Sequence, residues 1–253
     1  MLAPFLMTSI AIGQGGRIGA APPPSARAIR FSTDEGTWVS LDVSPNGRAI
    51  AFELLGDIYI MPVGGGPARA ILTGTAFQSQ PRFSRDGASL TYVSDGDGSD
   101  NIWIAGPGGE HPRALTTMRR ATMLSPEWSA DGRSIYATVF EGRTADLWRF
   151  DVATGAGEKI VPNANGAASL LVSTPPPGPY GAHVTADGKW LYYASVTPRP
   201  YGSRNGASSR LVRRDLATGR DEPVTVEEPV AMKPVTSPNG ALLAYGAQAR
   251  GQT

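Results

Sequence analysis

His111 and His183 are the only imidazoles in this 253-residue chain, and they stand 72 positions apart. Hydrolytic metal chemistry needs several His and carboxylate ligands converging on one ion. No His-x-His occurs, so neither histidine has a ligand partner close in sequence. The absence of cysteine removes thiolate metal sites, disulfides and a thiol nucleophile together. Serine hydrolase chemistry needs a nucleophile on a sharp Gly-x-Ser-x-Gly turn. Tyr201-Gly202-Ser203-Arg204-Asn205-Gly206 has the glycines at the wrong spacing and reads as a flexible loop. Asp95-Gly96-Asp97-Gly98-Ser99-Asp100 has the opening of an acidic calcium loop but lacks the later bidentate Glu. It reads as a structural turn, and His111, between Glu110 and Pro112, as a solvent-facing turn residue.

The elements that would position any site announce themselves by repetition. Five turns share one pattern: Ser44-Pro45-Asn46-Gly47, Ser84-Arg85-Asp86-Gly87, Ser129-Ala130-Asp131-Gly132, Thr185-Ala186-Asp187-Gly188 and Ser237-Pro238-Asn239-Gly240. Their glycines lie 40, 45, 56 and 52 residues apart, near the roughly 40–50 residues of one propeller blade. Ser or Thr can bond back to the turn backbone, Asp or Asn tolerates the bridge region, and Gly takes the left-handed position. Such a turn joins two antiparallel strands.

The flanks repeat too. A short strand precedes each turn (Gln80–Phe83, Ser125–Trp128, Gly181–Val184), and an apolar strand follows it (Ala49–Phe52, Leu90–Val93, Ile135–Thr138, Leu191–Ala194, Leu242–Tyr245). A third strand reads Asp57–Ile60, Asn101–Ile104 and Asp146–Arg149, and a Gly-rich turn leads to a fourth. Four strands per repeat, apolar on both faces, suit a blade held between two neighbours. The expected fold is an all-β propeller over residues 28–253, with four complete four-stranded blades and a fifth that stops after its second strand, as in a fragment of a larger propeller. Ala28–Ser32 reads as a strand that would close the last blade.

A net charge of +1 excludes a global field for nucleic acid, and no apolar run is long enough to span a bilayer. Leu2–Ile12 has the length of a signal-peptide apolar region, with Ile18-Gly19-Ala20 as a cleavage site and Pro22–Pro24 as a spacer. Residues 1–27 are therefore expected to be an export signal and spacer, and the protein periplasmic or secreted.

Aligning the turns yields the candidate site. Five places before each glycine stand Asp42, Arg82, Glu127, His183 and Val235. The first strand of a blade lies beside the central channel, so four polar groups of mixed sign would ring it. They either grip a ligand together or pair between neighbouring blades; varied chemistry at like positions favours pairing. Two loops break the period, Pro162–Tyr180 and Val196–Ala207, and contribute Tyr180, Tyr201 and Arg204 as expected partner contacts.

The unit Ser-Pro-Asp-Gly, Ile-Ala-Phe, Asp-Ile-Tyr-Ile, Gly-Gly, Leu-Thr resembles the TolB-like propeller repeat, which also occurs in the propellers of tricorn-type and prolyl-oligopeptidase-type peptidases. Arg30–Trp38, Leu54–Tyr59, Gln80–Ser84 and Thr197–Gly206 are similar to stretches of TolB-like propellers fused to an amidohydrolase. That resemblance implies a metal-dependent hydrolase barrel beyond Thr253, with the metal held there and no cofactor in this chain. The propeller would then be a scaffold, substrate gate or interaction platform, and its partner that downstream domain or another protein. A stand-alone TolB-like binding module and the propeller of a serine peptidase are the other two readings.

Overall fold

The computed structural model describes residues 33, 35–36, 39–142, 144–163, 178–197, 208–225 and 231–247. Residues 37–253 form one compact unit. In the unit of residues 1–36, Thr33 Oγ1 donates to the Glu35 carbonyl and accepts from its amide. The expected signal segment and the Ala28–Ser32 strand lie outside the described residues.

Every described element is a strand. β1 (Leu41–Val43), β2 (Ala49–Leu54), β3 (Asp57–Pro62) and β4 (Arg69–Leu72) form the first antiparallel sheet in simple meander order. β5 (Gln78–Phe83), β6 (Leu90–Ser94), β7 (Asn101–Ala105) and β8 (Arg113–Ala114) form the second. The third is β9 (Ala121–Trp128), β10 (Ser134–Glu141), β11 (Thr144–Asp151) and β12 (Gly157–Val161). The fourth is β13 (Gly178–Val184), β14 (Trp190–Thr197), β15 (Ser208–Asp215) and β16 (Asp221–Pro223), and β17 (Ala231–Thr236) with β18 (Leu243–Ala247) makes a two-stranded fifth. This is the expected architecture of four full blades and part of a fifth.

The turn between the first two strands of each blade is one chemical device used five times. In blade three, Ser129 Oγ donates to Asp131 Oδ1 at 2.6 Å and accepts from the Ser134 amide at 2.9 Å, while the Arg133 amide donates to Asp131 Oδ1 at 3.0 Å. Gly132 closes the turn by donating to Ser129 O, at φ +70°. The same bonds recur around Asn46, Asp86, Asp187 and Asn239. Asn and Asp are interchangeable because only acceptor oxygens are used. At the three acidic copies the hydroxyl of Ser84, Ser129 or Thr185 holds the carboxyl below its usual value.

The core lies between blades. Ala51, Ile58 and Leu72 of blade one pack on Phe83, Leu90 and Tyr92 of blade two. Val93 and Ile102 meet Met123, Ile135 and Val139 across the next seam. Leu147 and Val161 meet Val184, Leu191 and Val212 across the third. All five residues of β6 are buried because its blade is covered on both faces. Blade one has a neighbour on one face among the described residues, and Leu41 and Val43 stay about half exposed.

Close approach between blades falls on glycine. A Cβ on Gly109 would lie 2.1 Å from Ile71 O of blade one, and one on Gly155 would lie 2.4 Å from Leu115 O of blade two. Both are in the turn before the fourth strand, so the same fit occurs at successive seams.

Two outcomes are expected. Gly132→Ala and Gly155→Ala both force alanine to positive φ, costing about 1 kcal/mol, but only Gly155→Ala adds the clash with Leu115, for a further roughly 1–3 kcal/mol. Urea unfolding of the two variants checks this; equal losses would remove the seam from the explanation. Second, a carboxyl held low in the fold stabilises above its unfolded value, about pH 4. That contribution disappears as pH falls through the lower folded value. Changing Asp86, Asp131 and Asp187 to Asn should therefore flatten the fall in melting temperature below about pH 4, relative to the unchanged chain.

Candidate binding channel

The five inner strands β1, β5, β9, β13 and β17 face one cavity of about 400 Å³, lined among others by Asp42, Arg82, Glu127, His183 and Thr236. Asp42, Arg82, Glu127 and His183 line this cavity, and each is also engaged with a neighbouring blade. Asp42 Oδ2 accepts from the Phe83 amide of blade two at 2.8 Å. Arg82 Nη1 donates to Leu41 O of blade one and to Pro81 O, both at 2.9 Å. Glu127 Oε1 is 3.1 Å from His183 Nδ1 and 3.4 Å from the Val184 amide, both on blade four. His183 Nε2 meets Thr236 Oγ1 of blade five at 2.9 Å. In the tautomer whose Nδ1–H donates to Glu127, Nε2 of His183 accepts a hydrogen bond from the Thr236 hydroxyl. Burial pushes the Asp42 carboxyl up, against the lowering bond from Phe83.

A bulge precedes three of these side chains, Arg82, Glu127 and His183. Gln80, Ser125 and Lys233 hold positive φ (56°, 54° and 53°), and Gly181 does so at the equivalent place. The pairing of β5, β13 and β17 with their second strands slips at this point. A bulge leaves an amide unpaired in its own sheet and re-aims the following residue. Here the Gln80 amide donates to Ser40 Oγ at 3.0 Å and Glu53 Oε2 at 2.9 Å, both on blade one. The Ser125 amide donates to Gln80 Oε1 at 2.7 Å. The sequence reading did not find Ser40, Glu53 and Gln80. The available signal was the alignment of Gly181 with Gln80, Ser125 and Lys233, each of these three being followed by a proline (Pro81, Pro126 and Pro234).

Arg85 is the other missed residue. It is the one long side chain at the second turn position, against Pro45, Ala130, Ala186 and Pro238. Its Nη2 donates to Val184 O at 2.5 Å, from blade two to blade four across the channel.

Tyr180 requires correction. It was expected on a partner-facing loop, but strand β13 begins at Gly178, and the ring is 6% exposed against Phe140 at 5.5 Å between centroids. Its apolar body is used in the seam between blades. Tyr201 and Arg204 lie outside the described residues. His111 sits in an exposed turn at φ +49°, as read. Asp97 accepts from Asn101 Nδ2 at 3.0 Å, and Asp95 from the Phe77 amide at 2.7 Å, so two of the three acids of that loop are engaged by the protein itself. Among the described residues no group of three or more His, Asp or Glu is placed to hold a metal, and no helix is long and apolar enough to cross a membrane.

The Glu127–His183 contact bridges blades three and four, with side chains 15% and 17% exposed. A double-mutant cycle with Glu127→Ala and His183→Ala should return a coupling near 1 kcal/mol. Additive losses would mean that the two groups do not stabilise each other.

No family model matches the chain. It is 27% identical to the Tol-Pal system protein TolB of Francisella tularensis over 188 residues, which cover 71% of this chain and 40% of that one. It is 27% identical to tricorn protease homolog 1 of Streptomyces coelicolor over 96 residues, 38% of this chain and 9% of that protein. The chain thus spans less than half the length of these curated relatives. The solved structure of a TolB from Agrobacterium tumefaciens superposes with a TM-score of 0.66 at 20% identity, covering 84% of this chain and 70% of that one. With four full blades and part of a fifth, these likenesses give the chain the TolB-like β-propeller fold.

Proposed function

We propose that this propeller is the non-catalytic segment of a larger, exported hydrolase of the amidohydrolase type, with its channel acting as substrate gate or interaction platform. The observation that carries the reading is the polar channel of about 400 Å³ framed by five inner strands. Its acids and imidazole are bonded between blades, so the wall is fixed and polar without a nucleophile–base pair held for attack. The stretches Arg30–Trp38 and Thr197–Gly206 point to the amidohydrolase fusion, and Leu2–Ile12 to export. In this reading the metal belongs to a domain after Thr253, and the partner of the propeller is that domain.

Two observations favour other readings. The match to the Francisella TolB covers 71% of this chain, which suits a periplasmic binding module with no enzyme attached. The match to a tricorn protease homologue suits a peptidase propeller.

The coding sequence after Thr253 separates the three. A clustered His-x-His pattern is expected; a nucleophile elbow or a stop after the last blade would overturn the proposal. In the hydrolase itself, Ala186→Trp at the channel wall should raise KM at least tenfold for bulky substrates and leave small ones unchanged. Equal effects on both would exclude gating.

A further inference from the structure

We infer that the channel is an oxyanion site, in which Arg82, Arg85 and Lys233 hold a small ligand bearing a carboxylate or phosphate group. The inference rests on the proposal that the channel is a binding surface and adds the chemistry of what it takes.

The argument is one of which charges remain unspent. Five ionisable side chains line the cavity besides His183: Asp42, Glu127, Arg82, Arg85 and Lys233. The acids are occupied. Asp42 receives the Phe83 amide, and Glu127 receives His183 Nδ1 and the Val184 amide. Burial also favours the neutral form of the Asp42 carboxyl.

The cations are barely used. A guanidinium carries five donors, yet Arg82 makes both its bonds through Nη1 and Arg85 makes its one bond through Nη2. Both spend those bonds on main-chain carbonyls, and the Arg82 charge also acts on the Asp42 carboxyl without a direct ion pair. Among the described residues Arg82 Nε and Nη2, Arg85 Nε and Nη1, and Lys233 Nζ take no acceptor. No acidic side chain of the described residues makes an ion pair with any of the three. Elsewhere Arg149, Lys159, Arg213 and Arg214 pair with acids, and other described cations such as Arg113 do not; what sets Arg82, Arg85 and Lys233 apart is that they line one concave volume together. Two forked donor sets and an ammonium around one concave volume fit an oxyanion, since guanidinium groups bind carboxylate and phosphate through paired N–H donors. A cavity of this size accepts a small molecule.

Arg85 adds a feature of access. Its side chain reaches from blade two to Val184 O of blade four, so a ligand drawing that guanidinium toward itself also clears the span it bridges.

Citrate and inorganic phosphate, titrated calorimetrically into the 253-residue chain, are the probes, with neutral N-acetylalanine methylamide as control. At least one anion is expected to bind with Kd near or below about 1 mM; which one binds tells carboxylate from phosphate recognition. Arg82→Met and Arg85→Met should each weaken binding roughly tenfold or more, and Arg85→Lys should restore part of it. Arg113→Met, which alters a cation outside the channel, should change nothing. Affinity of the unchanged chain should fall as chloride rises from about 20 to 200 mM, a readout that does not depend on any variant folding. Equal binding of the neutral control, no binding of either anion, or full affinity in both methionine variants would overturn the proposal. The coding sequence after Thr253 tests the hydrolase reading separately, so the two can fail independently.

Discussion

The amides released by the bulges of β5 and β9 are the constraint around which the inner seams of this propeller are organised. A buried or half-buried N–H without an acceptor costs more than an ordinary hydrogen bond gains. Its own sheet cannot supply the acceptor, because the bulge has moved the partner out of register. The preceding blade supplies it instead: Ser40 and Glu53 for Gln80, and Gln80 in turn for Ser125. A local irregularity within one blade thereby becomes a directional link to the next. The bulges precede Arg82, Glu127 and His183, and these three together with Asp42 each find a group on an adjacent blade.

Apolar burial and polar bonding divide the work by radius. Near the axis the seams are polar and specific in geometry, with side chains meeting main-chain groups one to one. Farther out they are apolar, built from the second and third strands, where Leu90, Ile102, Ile135, Leu147 and Leu191 are fully covered. Hydrophobic contact is indifferent to angle, whereas hydrogen bonds are not. The outer seams supply adhesion, and the inner ones fix how each blade is oriented. Within the channel the acids accept from the Phe83 and Val184 amides of the following blade, whereas the cations cannot accept at all.

The blade repeat was legible because each turn solves a purely local problem. Ser129 and Asp131 satisfy amides within six residues of themselves, so their types and spacing are visible in one short window. Strand order followed from that. The channel wall was legible only as a set of positions: alignment placed Glu127 and His183 at like points, but their contact depends on two blades meeting. Tyr180 was misread because Pro175–Pro177 extends loop character up to the strand boundary, and nothing in the local pattern says that β13 starts at Gly178. Gln80 escaped because a left-handed glutamine has no propensity signature; its conformation is imposed by the partners it serves. Arg85 was hidden within a turn whose other four copies carry Pro or Ala.

Gly109 and Gly155 bear on the geometry of the circle. Each occupies a place where two blades come within van der Waals contact of backbone with backbone. A side chain there would act as a shim, prying the blades apart at that point and changing the wedge between them. The number of wedges that fill a turn about an axis is set by the angle of one. Two hydrogen atoms in place of methyl groups thus act as spacers, and substitutions at these positions are a route by which sequence could alter the curvature of the whole array while every blade keeps its own fold.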